Sequence, residues 1–261
     1  MKIQNKVIAI TGGANGIGHA LARRFKLEGA RGIALADLDG AKVAKAASEL
    51  GMLGVPCDVA SESDVQNFVR QTESALGPID LFCSNAGIAL ADPDPNDATS
   101  ASNADFERNW NIHVMAHVYA ARALLPQMTA RGDGYFLNTV SAAGLLSQIG
   151  SATYSATKHA AIGFAESLAI THRDRGIKVS VLCPQAVRTA MIGPEPEKGS
   201  ASVDGIISPE EVADAVVLGL AAETFLILPH PMVADYIKRK SADYDRWLGG
   251  MAKLRRGLQA R

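Results

Sequence analysis

TGGANGIG, at residues 11–18, follows a short apolar run and leads into a helical pattern at about 17–29. Its glycines at positions 12, 16 and 18 permit a tight turn, let the backbone approach a pyrophosphate and let the helix pack closely on the strand. The N-terminal end of that helix would present unpaired N–H groups and a positive dipole to the phosphates. The stretch therefore predicts a dinucleotide-binding strand–turn–helix unit at the start of the chain.

The rest of the chain alternates short apolar runs with longer amphipathic ones. The runs that predict strands are 6–11, 32–36, 53–57, 79–84, 134–140, 177–182 and 225–228. Helical patterns lie at about 17–29, 39–50, 62–76, 104–131, 153–174 and 209–221. Continuous hydrophobicity is typical of parallel strands that are buried on both faces. We therefore predict a single α/β domain over residues 1–261, a doubly wound Rossmann fold with a parallel sheet.

The composition narrows the class of protein. The chain has 261 residues, of which 48% are hydrophobic, and a net charge of −1. That is enough apolar material for one core, and it gives no electrostatic reason to expect nucleic acid or an anionic membrane as a partner. The C-terminal bases Lys253, Arg255, Arg256 and Arg261 are interpreted as a solvated tail.

The cysteines and the apolar runs indicate the compartment. Cys57, Cys83 and Cys183 lack a CxxC spacing and lie in or beside apolar runs, which favours a reducing environment. No run approaches the ~20 residues of a membrane-spanning helix, and the N-terminus does not resemble a targeting signal. We therefore expect a cytoplasmic protein with no membrane contact.

Three segments depart from the compact alternation. Residues 89–105 form a polar surface loop, and residues 188–207, punctuated by glycine and proline, form a loop that we expect at the substrate site. Residues 231–258 carry apolar side chains at three- and four-residue spacing, which predicts an amphipathic helical tail. This tail either docks on its own domain, or forms a subunit interface or a flap over the substrate.

The ends of the next strands extend the predicted cofactor site. Asp37 ends the second strand, where an acidic side chain accepts hydrogen bonds from the adenosine ribose of NAD and repels a 2′-phosphate. Position 15 in the glycine turn is asparagine rather than a base, so we expect NAD rather than NADP. Two further strands end in Asp58-Val59 and in Asn85-Ala86-Gly87, which places four strand ends along one crevice.

Tyr154 and Lys158 are four residues apart at the start of the helical pattern 153–174, so they share one helix face. An ammonium group near a phenol stabilises the phenolate and lowers its pKa from ~10. Such a phenol can take a proton from an alcohol or return one to a carbonyl. Ser141 follows the fifth strand, and its hydroxyl is placed to hold the substrate oxygen.

The whole pattern resembles the short-chain dehydrogenase/reductase family, in its compact subgroup of about this length. The resemblance extends over residues 5–228. It rests on motifs in order and spacing, namely the TGGANGIG turn, Asn85-Ala86-Gly87, Asn111, Ser141, Tyr154-Ser-Ala-Thr-Lys158 and the stretch Pro184–Thr189.

The resemblance implies a role for each matching residue. Tyr154 would be the acid/base, Lys158 would lower its pKa and bind the nicotinamide ribose, Ser141 would orient the substrate, and Asn111 would hold a water in a proton relay from Lys158. The implied cofactor-binding set is Gly12, Asn15, Gly16, Ile17, Gly18, Asp37, Leu38, Asp58, Val59, Asn85, Ala86, Gly87, Tyr154, Lys158, Pro184, Val187 and Thr189. The family also implies a sheet order of 3-2-1-4-5-6-7, and commonly tetramers built on helices 104–131 and 153–174; a dimer is the alternative.

The chain departs from the family pattern at three places. Gln185 replaces the usual glycine after Pro184, Ser84 replaces a frequent asparagine, and the last strand runs into Pro229-His230-Pro231 instead of Asp-Gly-Gly. The residues around the catalytic positions are mostly apolar, so we expect a hydrophobic, fairly bulky alcohol or ketone. The expected substrate contacts are Ser141, Ala143, Leu145, Gln148, Gln185 and Met191.

The alternatives make different demands on the sequence. An NADPH-dependent carbonyl or 3-oxoacyl reductase would have a base near position 15 or 37, and a non-catalytic NAD-binding sensor would have lost Tyr154, Lys158 or Ser141; neither condition holds. His113 and His117 lie one helical turn apart but lack a third ligand, so we interpret them as packing or surface residues and expect no metal. The leading hypothesis is an NAD-dependent oxidoreductase that interconverts a secondary alcohol and a ketone.

Overall fold

The computed structural model describes residues 1–192 and 199–259. Its seven strands are β1 (Val7–Thr11), β2 (Gly32–Asp37), β3 (Leu53–Pro56), β4 (Leu81–Ser84), β5 (Gly134–Thr139), β6 (Ile177–Leu182) and β7 (Leu226–Ile227). The helices are α1 (Gly16–Leu27), α2 (Gly40–Leu50), α3 (Glu62–Leu76), α4 (Asn103–Trp110), α5 (Ala116–Arg131), α6 (Ala143–Leu146), α7 (Ala152–His172), α8 (Pro209–Ala222), α9 (Met232–Ala242) and α10 (Tyr244–Gln259).

The strands form one parallel sheet in the order β3-β2-β1-β4-β5-β6-β7, which confirms the predicted architecture. The order reverses direction between β1 and β4. In open α/β sheets, ligands bind at such a point, beyond the carboxyl ends of the strands. The glycine turn after β1 and the residues after β4 therefore share one crevice.

Each face of the sheet is covered by its own layer of helices. On β1, Val7 and Ala9 belong to a core formed with α3, α5 and α7, whereas Ile8 and Ile10 belong to a core formed with α1, α2 and α8. Phe25 of α1 is fully buried in the second core. Alternate burial on both faces explains why β1 is hydrophobic throughout.

Two predicted helices are interrupted. The pattern 104–131 contains a π-helical turn at Asn111–Met115 between α4 and α5. The tail bends at Asp243, whose extended backbone (φ −156°, ψ 95°) separates α9 from α10. The Asp243 carboxylate accepts a hydrogen bond from the Arg246 N–H (2.9 Å), so it caps the N-terminus of α10.

The two tail helices differ in how they are buried. In α9, Val233 is fully buried against Ala142 and Leu146, so this half of the tail docks on its own domain. In α10 no described residue is buried, and Tyr244 and Leu248 are 56% and 58% exposed. Trp247 of α10 packs against Tyr236 of α9, with ring centroids 6.2 Å apart, and the subunit interface or flap over the substrate stays a prediction for the exposed side of α10.

The remaining expectations concern cysteines, membrane spans and the substrate loop. All three cysteines are free and buried, and burial raises the pKa of Cys57 to about 12. Within the described ranges, none of the helices is long and apolar enough to cross a membrane. Residues 193–198 of the predicted substrate loop, and Arg261 of the basic tail, lie outside the described residues.

Candidate active site

The glycine turn is as tight as its sequence requires. Gly12 has a φ of +65°, and a Cβ there would lie 2.9 Å from the Cα of Ala86. A Cβ on Gly18 would lie 2.1 Å from the carbonyl oxygen of Gly12. No side chain fits at either position, so the turn requires both glycines. Its backbone lines the cavity at the N-terminus of α1 and forms an open cradle there. Such a cradle fits the pyrophosphate of a dinucleotide.

Asp37 stands at the end of β2, beside this cradle. Its Oδ2 accepts a hydrogen bond from the backbone N–H of Ala14 (3.1 Å), which ties the carboxylate to the glycine turn. Asp37 and Leu38 both line the cavity, and Leu38 is 72% exposed. A carboxylate fixed in this way keeps an oxygen available for the hydroxyl groups of a ribose.

Asn85 joins the ends of three strands. Its Nδ2 donates to the carbonyl oxygen of Thr11 (3.1 Å), and its Oδ1 accepts from Thr139 Oγ1 (3.1 Å). Thr11 Oγ1 in turn accepts from the backbone N–H groups of Asn85 and Ala86. The sequence indicated only small residues that allow a close approach to a ligand; the bridging role of the asparagine amide emerges from the structure.

The opposite end of the cavity holds the predicted proton-transfer groups. Lys158 Nζ lies 5.4 Å from the centroid of the Tyr154 ring and donates to the carbonyl oxygen of Thr139 (3.3 Å). The Ser141 hydroxyl lines the same end of the cavity as the Tyr154 phenol, and its oxygen accepts a hydrogen bond from the backbone N–H of Ala143 (3.1 Å). A serine hydroxyl, a phenol and an ammonium group therefore meet at one point after β5.

The electrostatics of this pair differ from the sequence-based expectation. Burial raises the pKa of the Tyr154 phenol, and the hydrogen bond to Ser141 only partly opposes it. Burial also lowers the pKa of Lys158 to about 8. Loss of hydration on burial therefore dominates the pKa of both groups, against the expectation that the lysine lowers the pKa of the phenol.

One cavity of about 360 Å³ connects the two ends. The predicted site residues that line it are Gly12, Asn15, Gly16, Ile17, Asp37, Leu38, Asp58, Val59, Asn85, Ala86, Gly87, Ser141, Tyr154, Lys158, Pro184, Gln185, Val187, Thr189 and Met191. The lining also includes residues that the sequence analysis had not selected, namely Cys57, Ile88, Ile112, Thr139, Val140 and Ile192. Several of these are apolar and lie in strand ends or loops without a motif of their own.

A family model described as a short chain dehydrogenase matches residues 6–199. The chain belongs to the short-chain dehydrogenase family. This short-chain dehydrogenase is 33% identical over 233 residues to 1-deoxy-11-beta-hydroxypentalenate dehydrogenase of Streptomyces exfoliatus, covering 87% of this chain and 84% of the relative. It is 32% identical over 232 residues to meso-2,3-butanediol dehydrogenase of Serratia marcescens, covering 85% of this chain and 90% of the relative.

A solved structure shares the same architecture. A short chain dehydrogenase/reductase from Burkholderia phymatum, in complex with NAD, superposes with a TM-score of 0.83 at 25% identity, over 94% of this chain and 96% of that chain. The family confirms that this chain is an oxidoreductase enzyme, since its relatives are named dehydrogenases.

The structure does not bring every expected residue of this short-chain dehydrogenase to the cavity. Asn111 lies on the exposed side of the π-helical turn, and the side chain beside Lys158 is that of His113. Asn111 is exposed whereas His113 is fully buried, so the two side chains lie on different sides of the turn. Asn111 is not among the residues that line the cavity, and its role in a proton relay stays a prediction. Gly18 lies beneath the turn, where it permits the cradle without lining it.

Three expected substrate contacts are also directed elsewhere. Ala143 is the buried first residue of the short helix α6. Leu145 packs toward α9, where Lys240 Nζ donates to its carbonyl oxygen (2.7 Å). Gln148 donates from Nε2 to Ser200 Oγ (2.9 Å). The sequence places these residues close to Ser141, but α6 turns the chain away from the cavity.

Gln185 occupies the position where the family pattern has glycine. Its φ is not positive, so the backbone there does not require glycine. Its N–H donates to His230 Nδ1 (3.2 Å), which binds this loop to the segment that follows β7. In the described chain its Oε1 is buried without a hydrogen-bond partner. The departures at Gln185 and at Pro229-His230-Pro231 therefore occur together in space.

The buried residues His113 and His117 should make the stability of the fold depend on pH. Burial, followed by the charge of Lys158, lowers the pKa of His117 to about 3; burial, Lys158 and His117 lower that of His113 to about 2. In the unfolded chain both titrate at about 6.5. Below that pH the unfolded state binds protons that the folded state excludes. The free energy of unfolding should therefore fall by about 1.4 kcal/mol per pH unit for each histidine.

Urea unfolding between about pH 7 and about pH 5 measures this slope. His117→Leu removes one of the two groups and should make the slope shallower by about 1.4 kcal/mol per pH unit. An unchanged slope in this variant would show that His117 does not stay neutral in the folded state.

Proposed function

We propose that this chain is an NAD-dependent alcohol dehydrogenase that interconverts a secondary alcohol and a ketone. The observation that carries the proposal is the cavity itself. The glycine turn and Asp37 lie at one end of it, and Ser141, Tyr154 and Lys158 meet at the other. A dinucleotide bound along the crevice would bring its nicotinamide end to these three side chains.

The residues of the chain supply proton transfer and positioning. When bound, NAD⁺ supplies the hydride acceptor. Tyr154 Oη, as phenolate, takes the proton of the alcohol, while the Ser141 hydroxyl donates a hydrogen bond to the same oxygen. The Lys158 ammonium stabilises the phenolate and also binds the nicotinamide ribose. In the direction of reduction, the phenol returns the proton to the ketone oxygen.

The rest of the lining supports the way the cofactor is held. The glycine turn, with Gly12, Asn15, Gly16 and Ile17, would cradle the pyrophosphate, and Pro184, Val187 and Thr189 would hold the nicotinamide carboxamide. Asp58, Val59 and Asn85-Ala86-Gly87 would contact the adenine and the adjoining ribose.

The preference for NAD over NADP rests on charge. Among the described residues that line the cavity, the one base is Lys158, at the chemical end, whereas Asp37 and Asp58 carry negative charge near the ribose end. A 2′-phosphate would meet the Asp37 carboxylate with no base to offset it. The Burkholderia relative was crystallised in complex with NAD, which supports the same cofactor here.

Asp37→Ser should shift the cofactor preference. Removing the carboxylate removes the repulsion of a 2′-phosphate and a ribose hydrogen bond, so the ratio of kcat/KM for NAD⁺ to that for NADP⁺ should fall by about tenfold or more, on the order of 1.4 kcal/mol. The matched control is Asp39→Ser, because Asp39 caps α2 by accepting from the Lys42 N–H (3.1 Å) and does not line the cavity. Equal ratios in Asp37→Ser and the parent enzyme would refute the role of Asp37.

The substrate class follows from the chemical end of the cavity. Ile88, Val140, Met191 and Ile192 are apolar and line it, with Gln185 as a polar contact. We propose a hydrophobic, fairly bulky alcohol or ketone. A panel of secondary alcohols with NAD⁺, followed by NADH absorbance, tests this: turnover should rise with apolar bulk. Better turnover of charged sugars or acyl-carrier thioesters would contradict the proposal.

The assembly and compartment follow the same proposal. A homotetramer or homodimer built on α4–α5 and α7 is supported by apolar side chains left exposed there, namely Phe106, Trp110 and Ile170. A cytoplasmic location is supported by the three free, buried cysteines.

A further inference from the structure

His113 is a fully buried imidazole in the π-helical turn between α4 and α5. Its Nε2 accepts a hydrogen bond from the backbone N–H of Ile88 (3.2 Å), just after β4. Its Nδ1 lies 3.0 Å from Thr157 Oγ1 on α7. Its ring meets the Tyr154 ring edge to face, with centroids 5.3 Å apart at an interplanar angle of 88°. The His113 side chain therefore contacts three parts of the site: helix α7, the Tyr154 phenol ring and the loop that follows β4.

The partners of His113 define one tautomer. The backbone N–H of Ile88 can only donate, so Nε2 must hold a lone pair. The neutral imidazole then carries its proton on Nδ1 and donates it to Thr157 Oγ1. The Thr157 hydroxyl in turn donates a hydrogen bond to the carbonyl oxygen of Thr153 (2.9 Å). The imidazole is thus fixed in both orientation and protonation.

His113 also shares its surroundings with the lysine. A Cβ built on Gly87 would lie 3.6 Å from His113 Nε2 and 3.8 Å from Lys158 Nζ, so both groups approach the same point at the end of β4. A second positive charge there would repel Lys158. Burial and the charge of Lys158 keep the pKa of His113 far below its usual range, so the imidazole stays neutral.

We propose that His113 is a positioning residue for the reaction. Its neutral Nδ1–H imidazole fastens the loop after β4 to α7, and its ring holds the Tyr154 phenol at its place beside Lys158. This inference rests on the proposed function, since it assigns His113 to the proton-transfer step of that reaction. His113 does not touch the substrate and acts through Tyr154.

The groups that face the phenol and the ammonium come from several elements. They are Ser141 after β5, Cys183 after β6 and His113 in the π-helical turn. His117 in α5 lies one turn further on and senses only the charge of Lys158. Burial raises the pKa of the Cys183 thiol to about 12, and both imidazoles are neutral at working pH. The pH dependence of turnover therefore reports on Tyr154 and Lys158 rather than on this thiol or these imidazoles.

The test is His113→Phe, which keeps a ring against Tyr154 but removes both hydrogen bonds. We expect kcat for alcohol oxidation to fall about tenfold or more. The acid limb of the kcat profile should move up by about one pH unit, because a phenol held less firmly near Lys158 ionises less readily. The Kd for NADH should change less than about threefold. His113→Gln, whose amide oxygen can accept from the Ile88 N–H, should restore much of the rate.

His117→Phe is the matched control, because His117 is buried one turn further on and, in the described chain, both of its ring nitrogens lack partners. It should keep kcat within about threefold and leave the acid limb in place. Three results would overturn the inference. They are a normal kcat in His113→Phe, a fall in kcat with the acid limb unmoved, and a fall in kcat no larger than that of His117→Phe.

A second measurement does not depend on the variants folding. In ¹⁵N NMR spectra of the parent protein, His113 should show the Nδ1–H tautomer and no titration near neutral pH. Titration near ~6.5, or an Nε2–H tautomer, would overturn the inference even if the variants fail to fold. If the parent enzyme oxidises no alcohol, the proposed function fails, whereas the tautomer still decides the geometry of His113.

Discussion

Tyr154→Phe should reduce kcat for alcohol oxidation by about a thousandfold, on the order of 4 kcal/mol in the activation free energy. The phenol is the one group in the described cavity lining that is placed, with Ser141 and Lys158, to take the hydroxyl proton. Phenylalanine keeps the ring and its contact with the buried His113. The Kd for NADH should therefore change little, and the loss should appear in kcat.

Tyr135→Phe provides the matched control for this change. Tyr135 is also buried, but it lies in β5 and its hydroxyl is hydrogen-bonded to Ser180 Oγ (2.8 Å), away from the cavity. The control should lose about 1 kcal/mol of stability and keep its turnover. Comparable kcat in Tyr154→Phe and the parent enzyme would rule out Tyr154 as the acid/base.

Gly18→Ala should weaken NADH binding by about a hundredfold or more, on the order of 3 kcal/mol. The new Cβ would lie 2.1 Å from the carbonyl oxygen of Gly12 and 2.7 Å from Asn85 Nδ2. Moving either the Gly12 backbone or the Asn85 side chain, which joins three strand ends, costs free energy. The glycine turn must open, and with it the cradle for the pyrophosphate. Fluorescence titration with NADH measures the change.

Gly250→Ala is the control for the effect of a methyl group in a helix. Gly250 lies in α10 with no atom within 4 Å of a built Cβ. The Gly250→Ala variant should bind NADH normally. Its free energy of unfolding should rise by about 0.5–1 kcal/mol, because alanine is the better helix former. Normal NADH binding by Gly18→Ala would contradict the proposed position of the pyrophosphate.

The fold was predictable because its signals are local and repeated. Apolar runs and amphipathic patterns located the strands and most helices, and the glycine turn located the crevice. The π-helical turn at 111–115 was not predictable, because nothing in the hydrophobic pattern of 104–131 marks it. The bend at Asp243 had a signal, an aspartate before Tyr244, but the apolar spacing continues across it.

The candidate site was predictable where a residue's role depends on its own backbone. Glycines and strand-end residues fall into this class, and all but the buried Gly18 line the cavity. Side chains whose direction depends on helical phase were not. Asn111 and His113 differ by two positions, and only three-dimensional contacts with Ile88, Thr157 and Tyr154 show which one meets the site. The only signal in the sequence was a histidine two positions after Asn111, within an apolar helical pattern.

The most direct test of the central proposal compares NAD⁺ with NADP⁺ as the cofactor of the parent enzyme. Initial rates of oxidation of a hydrophobic secondary alcohol are measured with NAD⁺ and with NADP⁺ under the same conditions. The charge of Asp37 predicts a kcat/KM for NAD⁺ that is about tenfold or more above that for NADP⁺. Faster reduction of NADP⁺, or no alcohol oxidation with either cofactor, would contradict an NAD-dependent alcohol dehydrogenase.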